Sequence, residues 1–383
     1  MSRRTSVAYA VLFGLLCVPA CKEEPADHRC SIILLAPLTG TQAAIGLQVD
    51  RAKTLVEDDL RADVNNTVVI REIDTSSNPA IASADVNRAL DRWDAPIIVG
   101  SVLSTETRAF LKGVLNRGVV VLANGSSDPT IRSLPFRRQG DGFFRNWPAD
   151  DSEGRAMAEY LSGSSRAKHL AVFYANDAYA RALANAFVKR FQELGGTISG
   201  PVVYETTTMS FEPILRLISD NSIDGYYIVG LPPDLAGMYN AVRRSPRGAT
   251  MPIYTAVAAE TSEFKSLIKF SLDNLFYTAP SVDQSSSAFF HFKEAYSRRF
   301  GGEPPDVVAG VTYDALRIAV DALKKNGCDR TRVRQYLYKM PPFDGATGPT
   351  GFDDLGDVVT KPVAIRYYDR GQSRLALITA RDR

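Results

Sequence analysis

The sequence predicts an α/β protein of two doubly wound, Rossmann-like lobes joined by a three-strand hinge, and three observations lead there. From Ser31 onward, short continuous apolar runs alternate with amphipathic stretches of helical period, the pattern of repeated βαβ units whose parallel strands are covered on both faces. A break at Arg145-Asn146-Trp147-Pro148 separates two such series, and the stretch of chain after the second series does not fit as a third domain. The chain of 383 residues is also longer than one hydrophobic core usually serves.

In the first series, residues 32–36, 68–73, 96–100 and 119–123 read as strands, with helices over 45–60, 79–93 and 105–116 between them. The second series places strands at 169–174, 202–205, 225–229 and 252–256, and helices near 151–162, 178–194, 210–220 and 233–244. One more strand at 275–279 precedes helices near 285–300, 307–326 and 330–338, and the chain ends on strand-like sequence at 363–368 and 375–379. The simplest packing lets the chain cross between lobes near 145–148, 279–283 and 344–351. Lobe 1 then holds residues 31–146 and 281–347, and lobe 2 holds 147–280 and 348–383. A cleft is expected between the two facing C-terminal strand edges, where the N-termini of the following helices gather.

The first 21 residues read as an export leader. Arg3 and Arg4 precede a mostly apolar stretch over 7–18, which Val18-Pro19-Ala20-Cys21 ends with a small residue before cysteine. The apolar run is too short to span a bilayer. Ala20-Cys21 resembles the bacterial lipobox, which implies that Cys21 is the lipidated first residue and anchors the chain to a membrane; plain secretion with cleavage nearby is the alternative. Residues 22–30 are then a tether, and Lys22 after the cysteine points to the outer membrane by the sorting pattern of known lipoproteins.

A net charge of +2 without a long basic run argues against nucleic acid as a partner. His28, His169 and His291 are scattered, no cysteine pair has metal-ligand spacing, and no HExxH, GxSxG, P-loop or GxGxxG motif occurs. The expectation is therefore no cofactor, no metal and no enzyme.

The stretch "VVVLANGSSDPTI" (119–131) runs a buried strand into a polar turn at the edge where ligands bind. Asp128 and Pro129 suit the N-cap and first turn of a short helix, which leaves Gly125 and Ser127 without a structural explanation. "APLTGTQAAIG" (36–46), "DTSSNPAIA" (74–82), "VGSVLSTET" (99–107), "NGSSDP" (124–129), "FRNWPADDSEG" (144–154), "NDAYARALA" (176–184) and "GPTGFDDLGD" (348–357) occur in an order and spacing that resemble one family. It is the bacterial periplasmic solute-binding proteins of the leucine/isoleucine/valine type, with the type I periplasmic binding protein fold. The resemblance implies an extracytoplasmic, monomeric protein that captures a small polar-headed solute (a carboxylate, amide or amino acid) between its lobes and delivers it to the membrane permease of an ABC transporter. A sensor or scaffold on the same fold, and an envelope enzyme, are the other readings.

Carried over residue by residue, the resemblance implies that the backbone at Gly125 and the hydroxyl of Ser127, with Ser104 and Thr105 at the preceding helix N-terminus, hold the polar head. Tyr179 is implied as a further contact, and Ile45 stands where relatives place an aromatic residue. The acidic position that meets a ligand ammonium falls on Val257, and Glu260 comes three residues later. Ser104 reads equally as a helix cap, Tyr179 as a core aromatic, and Glu260 as a first-turn helix glutamate. Arg145 is expected to make an interlobe or backbone hydrogen bond. Cys30 precedes the first strand at the edge away from the cleft and Cys328 follows a lobe-one helix that ends at that edge, so a disulfide between them is expected.

Overall fold

The computed structural model describes residues 29–379 except 165, 207–209, 219–221 and 283. The leader, Cys21 and the tether up to residue 28 lie outside the described residues. The first lobe begins with β1 (Cys30–Ala36), α1 (Ala43–Ala62), β2 (Val68–Asp74), α2 (Pro79–Arg92), β3 (Ile97–Val99), α3 (Ser104–Asn116), β4 (Val120–Ala123) and β5 (Phe143–Arg145). The second continues with α4 (Asp150–Ser164), β6 (His169–Ala175), α5 (Ala178–Glu193), β7 (Thr197–Tyr204), α6 (Glu212–Leu215), β8 (Gly225–Val229), α7 (Pro232–Arg244), β9 (Ile253–Thr255), α8 (Ser262–Leu267) and β10 (Leu275–Pro280). The remainder is α9 (Ser287–Arg299), α10 (Val307–Asn326), α11 (Arg330–Lys339), the hairpin β11 (Phe343–Gly345) and β12 (Gly348–Thr350), then β13 (Val363–Asp369) and β14 (Gln372–Ile378).

The first sheet has the parallel order β2-β1-β3-β4-β5, and the second contains β7-β6-β8-β9-β10 in the equivalent order. In each lobe the strand order reverses beside the first strand, which puts a topological switch point at the C-terminal edge of both sheets. β13 and β14 extend the second sheet antiparallel to β10. This is the two-lobed α/β architecture expected. The wholly buried runs of β1 and β4 are covered on one face by α1, α10 and α11 and on the other by α2 and α3.

Three local expectations change. β7 starts at Thr197 rather than 202, and its mostly exposed or half-exposed residues give no apolar run because it is an edge strand. The helix expected over 210–220 shrinks to α6, which has no buried residue to hold it against the lobe. The hairpin β11–β12 carries no sequence signal of its own; the Asp314 carboxylate of α10 closes it by accepting the N–H groups of Ala346 at 2.7 Å and Thr347 at 2.8 Å.

The connections between the sheets meet around Arg145. Residues 352–357 fold back onto β5: the Phe352 ring lies 5.1 Å from that of Phe144, and Arg145 N donates to Gly356 O at 2.9 Å. Gly356 has φ +80°, and a Cβ there would sit 1.8 Å from Phe143 O, so no other residue fits. The Arg145 guanidinium, 1% exposed, donates from Nε to Asp357 Oδ1 at 2.7 Å and from Nη1 to Asp128 O at 3.0 Å, which is the interlobe and backbone role expected. Burial alone would raise the Asp357 pKa, but Arg145 and Arg132 outweigh it and hold the carboxyl below its ordinary range. Lys361 Nζ joins Asn146 O at 3.0 Å and Thr347 Oγ1 at 2.7 Å, and burial pushes its ammonium down to about 8. A disulfide joins Cys30 to Cys328, with the Cα atoms 5.3 Å apart, and so ties the start of β1 to the turn between α10 and α11.

Candidate ligand-binding cleft

β4 delivers the turn 124–128 to the C-terminal edge of the first sheet, where it packs on the loop after β3. A Cβ on Gly125 would approach Val102 Cγ1 to 2.9 Å and its Cα to 3.3 Å, so glycine is required by close packing. Ser104 is the first residue of α3, behind Leu103, and is not its cap. Its hydroxyl instead accepts the N–H of Asp128 at 3.2 Å and lies 3.4 Å from that of Ser126, which pins the turn to the helix start. The first N–H groups of α3 have no intrahelical acceptor and point toward the same edge. Asp128 caps the short 3₁₀ turn Pro129–Ser133 through Thr130 N at 2.8 Å, as expected for an N-cap.

Between the lobes lies an open cavity of about 760 Å³, a volume that includes its solvent-filled mouth. Its wall from the first sheet holds Ser104, Thr105, Gly125 and Ser127 with the apolar Ile45 and Val102. α10 adds Val307, Val308 and Val311, and Trp147 of the first crossing closes one side. The second lobe contributes Tyr179, Leu231, Val257, Ala258 and Thr261. The lining is predominantly apolar, with a few hydroxyls and amide groups to orient a ligand. No group of three or more His, Cys, Asp or Glu side chains suited to a metal ion occurs among the described residues.

Ile45, Ser104, Thr105, Gly125, Ser127 and Tyr179 are thus brought together on one cavity, whereas Glu260 is not. The 3₁₀ turn Val257–Glu260 presents Val257 and Ala258 to the cleft. Glu260 lines a separate recess with Lys265 and Arg366, whose charges partly offset the burial that raises its carboxyl. Its candidacy as a cleft contact is therefore corrected: the turn after β9 carries its side chain away from the ligand space.

Three polar or aromatic cleft residues carry no clear signal in the sequence. Asp177 caps α5 through Oδ1, which accepts Ala180 N at 2.9 Å, while Oδ2 is buried without a partner and burial pushes the carboxyl up to about 6. The Asn-Asp pair before Ala178 signals the cap but not the second oxygen. Asn124 is fully buried, donates to Thr312 Oγ1 at 2.8 Å and leaves Oδ1 unpartnered. Trp147 sits in the crossover, where no periodicity marks a lining residue.

The periplasmic binding protein family matches residues 31–372 of this sequence. The chain belongs to that family. Among similar proteins, an amino acid binding protein of Pseudomonas aeruginosa is 24% identical over 348 residues, 88% of this chain and 89% of the relative. A solved leucine-binding protein from Thermotoga maritima superposes with a TM-score of 0.82 at 24% identity, covering 91% of this chain and 98% of that one. A solute-binding protein of an ABC transporter from R. palustris, solved in complex with benzoate, gives a TM-score of 0.79 at 17% identity over 91% of this chain and 96% of its own.

Proposed function

We propose that this periplasmic binding protein captures a small organic solute in the cleft and delivers it to the permease of an ABC transporter. The solute has a carboxylate, amide or other oxygen-rich head, held by Ser127, Ser104, Thr105 and the free N–H groups of the α3 start, and a weakly polar remainder packed by Ile45, Tyr179 and the valines of α10. The observation that carries this reading is the mostly apolar cavity with its hydroxyls gathered at one helix N-terminus. The relatives' ligands agree in chemistry, since amino acids and benzoate share a carboxylate and several carry an apolar body. Hinge rotation closes the lobes over the solute and changes the surface offered to the permease. An open cleft speaks for solute binding over a scaffold role.

Ser127→Ala is the direct test. Its hydroxyl contributes about 1 to 3 kcal/mol of affinity if it bonds a charged head. Calorimetry of wild type and variant against carboxylates, amides and amino acids reads the difference; unchanged affinity for every binder would remove Ser127 from the site. The chain is further proposed to be a periplasm-facing lipoprotein anchored through Cys21. Fatty acid label fed to cells is then incorporated by wild type and lost in Cys21→Ala, and equal labelling of both contradicts the anchor.

A further inference from the structure

Two helix starts, one from each lobe, meet beside the mouth of the cleft. α10 packs in the core of the first sheet through Ala315, Leu316 and Ile318, and α8 packs in that of the second through Phe264. Asp306, 6% exposed, caps α10: its Oδ1 accepts Val308 N at 2.9 Å. Its Oδ2 turns to the other lobe, where it accepts Ser262 N at 2.6 Å and the Ser262 hydroxyl at 2.9 Å. Ser262 is the first residue of α8, behind the cap Thr261, so its N–H is one that the helix itself cannot satisfy. One carboxylate thus takes up unpaired donors at the starts of two helices, and the positive end of the α10 dipole favours its charge.

These bonds join the lobes outside the crossings of the chain. Asp306 and Ser262 line a recess with Ile45, Thr261 and Val308, and those three also line the cavity. Asp306 and Ser262 themselves stand outside the cavity lining, so their bond needs no contact with a solute. We propose that Asp306 and Ser262 form a clasp that holds the lobes closed, with Asp306 as a positioning residue for the cleft. Joined to Ser262, it holds Thr261 and the turn Val257–Glu260 over the cavity that Val307 and Val308 line from the other lobe. The clasp sets how much of the protein is closed before a solute arrives, and so how much binding free energy is used in closing the hinge. Breaking it weakens every binder by the same factor, whereas loss of a head contact such as the Ser127 hydroxyl discriminates among them. The inference rests on the hinge rotation proposed above and not on the identity of the solute.

Ser262→Pro is the sharpest test. Proline suits the first position of a helix, the extended Thr261 before it (φ -68°, ψ 149°) tolerates it, and both donors to Asp306 go while Thr261 still caps Phe264 N. Asp306→Ser is the second variant: serine keeps α10 capped but is neutral and too short to hold Ser262. Ser262→Asp sets a like charge against Asp306 and is the control for hinge motion. The full chain, with no solute added, is measured by small-angle X-ray scattering and by acrylamide quenching in a Trp93→Phe background, which leaves Trp147, 6% exposed on the cavity, as the one tryptophan. Ser262→Pro and Asp306→Ser are each expected to enlarge the radius of gyration and to raise the quenching constant about twofold or more, and the double variant adds nothing further because either change alone undoes the clasp. Wild-type values for both single variants, with Ser262→Asp open, overturn the clasp and leave the hinge standing. Wild-type values for all three overturn the clasp together with the hinge rotation. Opening by Asp306→Ser without opening by a folded Ser262→Pro also overturns it, and where Ser262→Pro does not fold, Asp306→Ser decides by the same criteria.

Discussion

Replacing Cys30 and Cys328 together by alanine is expected to lower the unfolding free energy by about 4 to 5 kcal/mol, because the bond closes a loop between residues 298 apart in sequence and so restricts the unfolded chain strongly. The effect is concentrated in the first lobe, whose β1 is laid down at the start of the chain and whose α10 and α11 return only after β6 to β10 of the second sheet. Urea unfolding of wild type and double variant, followed by Trp fluorescence and by far-UV circular dichroism, measures it. A difference under about 1 kcal/mol, or both thiols free to alkylation in protein from an oxidising compartment, contradicts the role assigned to the bond.

Arg145→Met is expected to cost about 3 kcal/mol, the lower part of the range for breaking a buried ion pair, because Arg132 still reaches Asp357 when Arg145 is gone. The substitution keeps much of the side-chain volume, so the loss is that of the guanidinium: its bond to Asp357, its bond to Asp128 O, and the compensation of a mostly buried carboxylate. The pH dependence separates this from a packing defect. In wild type the Asp357 pKa is held below its ordinary value, so its contribution to stability is complete above about pH 4 and is lost as pH falls through the folded-state value. In the variant burial acts with less opposition, the folded-state value rises, and protonation removes part of the penalty. The gap between the two proteins should therefore narrow below about pH 4. A gap independent of pH would assign the destabilisation to packing alone.

How much of this is legible in the sequence depends on the range of the interaction behind each feature. β1 and β4 declare themselves because every residue is buried, and α10 because Asp306 caps it and Gly327 ends it. β7 and α6 do not, since one is an edge strand and the other makes no buried contact. The β11–β12 hairpin depends on Asp314, more than thirty residues away in sequence, which no local pattern encodes.

The same division runs through the site. Ser104, Thr105, Gly125, Ser127 and Tyr179 stand in strand-to-helix turns whose sequence resembles the family's, so their convergence on one cavity could be expected. Glu260 falls elsewhere because the direction of a short turn cannot be read from its composition. Asp150 and Glu153 look like ordinary acids at a helix start, favoured there by the helix dipole. Both are nevertheless buried, and Glu153 accepts the hydroxyl of Thr278 on β10, a contact across 125 positions of sequence that no local pattern encodes.

The central claim is that the cleft holds a small organic solute by an oxygen-rich head. It is tested most directly by mass spectrometry of the small molecules released when gently purified protein is denatured, for wild type beside a Thr105→Ala, Ser127→Ala double variant. The expected result is a carboxylate- or amide-bearing compound, near one per chain in wild type and largely lost from the variant. Release of the same compound in equal amount from both proteins, or of none from wild type that also gives no heat with any carboxylate, amide or amino acid offered, would contradict it.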